Sequence, residues 1–221
     1  MGVVSVIVPT LNEKEAIESV IDELPEEKLQ DKGHYVELIA VDGGSSDGTV
    51  EILEMSGVEV LHSDGGKAEG VREGLKNADG DFVFLIDGDG TYPAEEIPSM
   101  VEELENGSEM VLGSRFKGDI LNGAMSTKNK VGNKILTWLA NKLYGTDISD
   151  LCTGLRGFKY DGLDPEEVPG NDFEIEAGLH SLFSEKDITE VSIEYRQRKG
   201  ESKLITIDGL KIALRLLKEK F

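Results

Sequence analysis

Phe82-Val83-Phe84-Leu85-Ile86-Asp87-Gly88-Asp89 runs five apolar residues directly into two carboxylates. An apolar run of this length, closed by a glycine turn, reads as a strand covered on both faces. A solvated acidic turn would need no such lead-in, so the strand is read as delivering the pair to a site. Carboxylates spaced i and i+2 at the end of a buried strand repel one another. The usual remedy is a divalent cation shared with phosphate oxygens.

Outward from this stretch lie further apolar runs at Val3–Val8, Val36–Val41, Val58–Leu61 and Met110–Leu112. Between them, Glu15–Leu24, Asp47–Met55, Ala68–Ala78 and Pro93–Glu105 carry apolar residues at helical spacing. The alternation predicts an α/β fold of Rossmann-like type, a mostly parallel central sheet with helices on both faces. Ligands of such sheets sit beyond the carboxyl ends of the strands. Pro9-Thr10-Leu11-Asn12-Glu13 follows the first strand and Asp42-Gly43-Gly44-Ser45-Ser46-Asp47-Gly48-Thr49 the second. An acidic strand end such as Asp42 can hold a ribose or base, and the Gly-Ser turn lets backbone approach a ligand before Ser46 or Asp47 caps the next helix. Either stretch alone would also serve as an ordinary strand-to-helix turn.

The second half is less regular. Lys128–Tyr144 and Asp172–Phe183 read as helices, and Leu155–Lys159 and Ile188–Tyr195 as strands. Asp208–Phe221 is amphipathic, with Leu210, Ala213, Leu214, Leu217 and Phe221 on one face and Lys211, Arg215 and Lys218 on the other. Such a helix packs on its own domain or lies in a membrane interface.

The length of 221 residues suits a single domain spanning 1–221. No stretch approaches the ~18 consecutive apolar residues of a membrane span. The first apolar run lacks a basic leader and is cut by Pro9, so it reads as a strand and not a signal peptide, and a cytoplasmic location is expected. Cys152, the single cysteine, reads as a small buried hydrophobe. His34, His62 and His180 are scattered, so no histidine cluster competes for a metal. A net charge of −21 argues against nucleic acid as a partner. That charge is uneven: Tyr195–Phe221 holds eight basic residues against three acidic, and Arg115–Lys134 holds five against Asp119 alone. Anionic ligands are expected near these two segments.

Val8–Glu13, Val41–Thr49, Gly66–Arg72, Asp87–Pro93, Gly113–Arg115, Thr153–Arg156 and Tyr195–Lys203, in that order, resemble glycosyltransferase family 2 of the GT-A fold. Within it they are most similar to the dolichyl-phosphate or polyprenyl-phosphate sugar synthases, over nearly the whole chain. The resemblance implies a nucleotide-sugar and metal half at 1–114 and an acceptor half at 115–221 ending in the basic helix. It implies Pro9, Leu11, Glu13, Asp42, Gly66, Lys67 and Asp87 around the nucleotide, with Asp87 and Asp89 as ligands of Mg²⁺ or Mn²⁺. Asp89, Arg115 and Lys203 would be catalytic, and Arg115, Lys128, Lys130, Arg198 and Lys203 would gather the acceptor phosphate. The implied partners are a nucleotide sugar and a polyprenyl or dolichyl phosphate, met by a peripheral protein at the cytoplasmic face of a membrane. Many dolichyl-phosphate mannose synthases carry Gln where Thr91 stands, and Arg where Lys128 or Lys130 stands. These departures favour a UDP-sugar over GDP-mannose.

Family members that glycosylate a hydroxyl need a carboxylate base late in the chain, commonly a Glu-Asp pair followed by an Arg/Trp motif, and none is present. A phosphate monoester, with a second pKa near ~6, is already an anion. One inverting step onto lipid phosphate is therefore expected, with Asp172, Glu174 and Glu176 as bases should the acceptor be a hydroxyl. Two rivals are weighed. In a haloacid-dehalogenase-like phosphatase, Asp87 and Asp89 would be nucleophile and acid, but that strand normally opens the chain and here eighty-six residues precede it. The second is a nucleotide-binding module without transfer activity, against which the intact Asp87, Asp89 and Arg115 weigh. No Gly-x-Gly-x-x-Gly or P-loop pattern supports a dinucleotide or P-loop enzyme.

Overall fold

The computed structural model describes residues 2–200 and 206–221. Its strands are β1 (Gly2–Thr10), β2 (His34–Asp42), β3 (Val60–His62), β4 (Phe82–Leu85), β5 (Met110–Ser114), β6 (Arg156–Lys159) and β7 (Ile188–Ser192). They form one sheet in the order β3-β2-β1-β4-β6-β5-β7. Only β6 runs against its neighbours, antiparallel to both β4 and β5. The helices are α1 (Ile17–Asp22), α2 (Glu26–Asp31), α3 (Thr49–Met55), α4 (Lys67–Lys76), α5 (Ile97–Glu105), α6 (Thr127–Tyr144), α7 (Ile175–Phe183) and α8 (Thr206–Lys220).

Successive strand residues face opposite sides of a sheet, and β1 shows how this divides the core. Val4, Val6 and Val8 join one buried cluster with Ile17 of α1, Leu29 of α2, Leu53 of α3 and Met100 of α5. Ile7 joins the other, with Val71 of α4, Ala140 of α6, Leu179 of α7 and Ile212 of α8. Helices therefore cover both faces, as the alternation of strand and helix patterns predicts. Helix and sheet are in close contact at Gly74 of α4, where a Cβ would lie 2.5 Å from Ile7 Cγ2.

From β1 the chain builds outward through β2 to β3 with α1, α2 and α3 on one face. Then α4 recrosses on the other face and sets β4 on the far side of β1. The strand order reverses there, and the crevice left between the carboxyl ends of β1 and β4 is where a ligand fits.

Some boundaries differ from the sequence reading. Helix α2 was not visible because Glu26–Asp31 has one apolar residue, Leu29, and shows no period. Neither Ser46 nor Asp47 is the cap of α3: Gly48, at φ 104°, holds that position. Asp47 instead accepts from the Thr49 amide at 3.0 Å and the Thr49 hydroxyl at 2.6 Å. The strand expected to reach Tyr195 ends at Ser192, and Tyr195 keeps only an isolated bridge to Ile120. Helix α6 is delimited by Ser126, which accepts from the Asn129 amide, and by Gly145 at φ 75°. Among the described residues no helix is long and apolar enough to cross a membrane.

Candidate active site

A cleft of about 530 Å³ opens at this reversal, and Asp87 and Asp89 both face it. The chain leaves β4 still paired to β1, the Ile86 amide donating to the Ile7 carbonyl at 3.1 Å. It then turns through Gly88 and Gly90, the latter at φ 74°, where a side chain would be strained. Asp87 Oδ1 accepts from Lys67 Nζ at 2.7 Å, and the same ammonium reaches Glu176 at 2.7 Å. Asp89 Oδ1 accepts from the Thr91 amide at 3.0 Å and its hydroxyl at 2.6 Å, while Oδ2 meets the Arg198 guanidinium. Arg198 also reaches Glu13 at 2.5 Å.

The titration of these groups follows from their partners. Burial opposes the Lys67 charge, but Asp87 and Glu176 outweigh it and raise its pKa. Burial pushes Asp87 up, yet the charge and hydrogen bond of Lys67 hold it below the usual carboxylate range. Asp89 moves the other way: burial, then the charge of Asp87, lift its pKa against the hydrogen bonds from Thr91. Two carboxylates thus crowd one small volume, and cations are drawn in to relieve them.

This is a donor set that suits a hard divalent cation. A Cβ at Gly154 would lie 2.1 Å from Asp87 Oδ2, so the missing side chain there is the space the carboxylate uses. No group of three or more metal-ligating side chains occurs among the described residues. Asp87 and Asp89 would therefore hold Mg²⁺ or Mn²⁺ with the remaining positions left to phosphate oxygens and water, the usual arrangement for Mg²⁺ on a nucleotide.

Pro9, Leu11 and Glu13 line the cleft on the β1 side, as do Gly66 and Lys67 at the start of α4. Gly66 is required by close approach, since a Cβ would lie 2.9 Å from the Asn171 carbonyl oxygen. Asp42 departs from its expected role. It is buried and absent from the cleft wall, although its neighbours Val41 and Gly43 line it. Its Oδ2 accepts from the Gly44 and Ser45 amides, both at 2.9 Å, so the carboxylate shapes the turn. Asn12, which sequence reasoning did not single out, ties the two loops together. Its amide donates to Ser45 Oγ and its Oδ1 accepts from the Ser46 amide, both at 2.8 Å. Its φ of 51° is the one left-handed non-glycine among the described residues, a conformation asparagine tolerates better than most.

From the second half of the chain, Arg115 lines the cleft but is buried against Asp150, with Nε to Oδ2 and Nη2 to Oδ1 both at 2.7 Å. Its guanidinium also lies 5.1 Å from the Tyr195 ring centroid and 6.0 Å from that of Tyr92. Lys128 and Lys130 are exposed and do not line the cleft. Helix α6 contributes Asn129 and Asn133 instead, because residues three and four apart share a helix face and Lys130 lies off it. Lys203 lies outside the described residues. Of the fallback bases, Asp172 and Glu176 line the cleft, whereas Glu174 turns to Arg215 at 3.3 Å. Cys152 also lines it, its thiol pushed up to about 12 by burial, which leaves it a protonated small side chain. Asp150 carried no local sequence signal, and Tyr92 and Tyr195, although they lie in the quoted motifs, were not singled out because their contact with Arg115 exists only in the fold.

Residues 5–164 match the glycosyl transferase family 2 profile. The chain is 35% identical over 178 residues to glycosyltransferase AglJ of Haloferax volcanii, covering 80% of this chain and 56% of that protein. It is 32% identical over 209 residues to a dolichyl-phosphate hexose transferase of the same organism, covering 93% and 88%. The chain thus spans about half the length of AglJ and most of the second relative. Among solved structures, a glucosyl-3-phosphoglycerate synthase from Mycobacterium tuberculosis, complexed with Mn²⁺, UDP-glucose and phosphoglyceric acid, superposes with a TM-score of 0.76 at 23% identity, over 99% of this chain and 80% of that one. The fold is therefore of this GT-A kind, and the match of sequence and architecture leaves the phosphatase reading without support. The chain belongs to glycosyl transferase family 2.

Proposed function

We propose that the chain is a metal-dependent inverting glycosyltransferase that moves a hexose or N-acetylhexosamine from a nucleotide sugar, a UDP-sugar ahead of GDP-mannose, to a polyprenyl or dolichyl phosphate. It works as a peripheral protein at the cytoplasmic face of a membrane. Residues 1–114 serve the donor and metal, and residues 115–221 the acceptor. The observation that carries this reading is the pair Asp87 and Asp89 facing one cleft with Lys67, Arg115 and Arg198 around them. A bound divalent cation supplies charge to the leaving diphosphate. Asp87 and Asp89 would hold it, and Arg198 and Lys203 would steady the phosphates of donor and acceptor. Arg115 holds the wall between them through Asp150 and Tyr195.

The state of the cleft carboxylates supports this acceptor class. Glu176 is tied to Lys67 at 2.7 Å and Asp172 accepts from the Lys67 amide at 3.2 Å. Both carboxylates are thus already engaged within the protein, which suits an acceptor that arrives deprotonated. A phosphate oxygen attacks the anomeric carbon, the bond to the nucleoside diphosphate breaks with its electron pair on the diphosphate, and the configuration inverts.

The test is transfer from labelled UDP-glucose, UDP-N-acetylglucosamine and GDP-mannose to dolichyl phosphate in detergent, with Mn²⁺, Mg²⁺ or EDTA. Expected is a mild-acid-labile glycolipid formed only with metal, and its loss in Asp89→Ala at unchanged circular dichroism. Transfer to the free polyprenol and not its phosphate, or full activity of Asp89→Ala, overturns the reading.

A further inference from the structure

Two helices that build the cleft also present apolar side chains to solvent. On α6, Val131, Ile135 and Trp138 are exposed, Trp138 by 60%. Their spacing of four and three puts them on one stripe. On α8, Ile207, Leu210, Leu214 and Leu217 are likewise exposed, Leu210 by 59%, again at helical spacing. The opposite sides of both helices enter the same buried cluster through Ala140, Ile212 and Leu216. The helices touch, the Tyr144 hydroxyl donating to the Leu216 carbonyl at 2.9 Å. Both stripes therefore lie on the outer side of one helical layer. Aliphatic groups and a tryptophan exposed together in such a row are rare on a surface meant only for water.

The charge around the stripes identifies the occupant. Helix α6 carries four lysines and no acidic residue, and α8 four cations against two carboxylates. The chain as a whole has a net charge of −21. Cations here gather around apolar side chains, against the acidic balance of the chain as a whole. A second copy docked about a two-fold axis would set these lysines against one another, since such an interface opposes the same patch to itself. A surface that is apolar in depth and anionic at its rim matches both features at once.

We propose that the outer faces of α6 and α8 form a docking surface for an anionic lipid membrane, with Trp138, Ile135, Leu210 and Leu214 entering the interface and Lys134, Lys211 and Lys218 meeting the headgroups. The same helices reach the cleft from behind that surface, α6 through Asn129 and Asn133 and α8 through Ile212. The purpose of this placement rests on the lipid-phosphate acceptor proposed above. Docking would bring the cleft mouth to the depth at which such a headgroup lies.

Trp138 is the single tryptophan of the chain, so its fluorescence reports on the surface directly. Vesicles of phosphatidylcholine with about 30% phosphatidylglycerol, free of polyprenyl phosphate, are mixed with the intact protein without donor or metal. Expected are a blue shift of the emission, co-sedimentation that weakens with salt, and at least tenfold weaker binding to pure phosphatidylcholine. Leu210→Gln combined with Leu214→Gln should cut vesicle binding at least tenfold while Trp138 still reports, and Lys134→Glu combined with Lys218→Glu should do so on anionic vesicles alone. All four residues are exposed, and circular dichroism checks the fold. An unshifted emission, binding indifferent to both variants, or a wild-type dimer that the leucine variant dissociates, overturns the proposal. Because no acceptor is present, transfer in detergent to a short-chain polyprenyl phosphate is measured separately. Its absence would remove the catalytic reading and leave the docking surface standing.

Discussion

The Lys67 ammonium stands 2.7 Å from the Asp87 carboxylate, at the first residue of α4, so the helix that recrosses the sheet delivers a cation to the end of β4. It is also 2.7 Å from Glu176 of α7, which makes it the joint of three elements. Replacing it by Met leaves two carboxylates without their partner in a largely desolvated site. A loss of about 3–5 kcal/mol is expected, read as a lower urea midpoint. Lys67→Met combined with Asp87→Asn and Glu176→Gln should cost far less than the sum of the separate changes, because the charges that demanded the lysine are gone. Additive losses would show that the lysine acts by packing alone.

Gly154 makes room for Asp87, a Cβ there falling 2.1 Å from Oδ2. The carboxylate is the nearest group and the edge of the Tyr92 ring follows at 2.8 Å, so Gly154→Ala should push both aside. Metal-dependent binding of a nucleoside diphosphate should weaken by about 10–100-fold, the range seen when ligand-positioning groups are lost. Calorimetric titration with and without Mn²⁺ measures it, and unchanged affinity would show that Asp87 is not positioned by this gap.

His180 is buried on α7, with Nε2 3.2 Å from the Thr146 hydroxyl. Burial, helped by the nearby Arg156 charge, lowers its pKa from 6.5 to about 4. The unfolded chain therefore binds a proton between those values that the folded chain refuses. Stability from this group is present above pH 6.5, falls as pH drops, and levels off near pH 4, with a total on the order of 3 kcal/mol. Urea unfolding of wild type and His180→Gln across this range should show a shallower pH slope in the variant. Equal slopes would place the imidazole in a solvated setting.

A net charge of −21 on 221 residues repels itself. Screening shortens from ~30 Å at 0.01 M salt to ~3 Å at 1 M, so the melting temperature should climb by several degrees over that interval. Charge reversal on the acidic half, for instance Glu51→Lys with Glu54→Lys on α3, should flatten the climb. A melting temperature that ignores salt would mean the acidic surface is already neutralised by specific contacts.

The architecture was legible because its signal is local. The strands β1 to β5 each contain a short apolar run, and each of α3, α4 and α5 shows its period within ten or so residues. The acid pair was legible for the same reason, being two residues apart at the end of such a run. Partners brought from afar were not. Arg115 looked like a cation for phosphate, and nothing near it in the chain says that Asp150 will claim the Nε–Nη2 edge of its guanidinium. Asp42 looked like a ligand, yet the two glycine-turn amides that occupy it are its own neighbours. Lys128 and Lys130 were chosen by charge, whereas helical phase decided which side of α6 meets the cleft, and it selected Asn129 and Asn133.

Helix α6 is eighteen residues long and capped at both ends. A stiff rod with asparagines toward the cavity and a tryptophan toward the outside cannot be tilted at one surface and left alone at the other. The exposed indole and the cavity wall are thus two faces of one rod, and a displacement of either would be shared by the other.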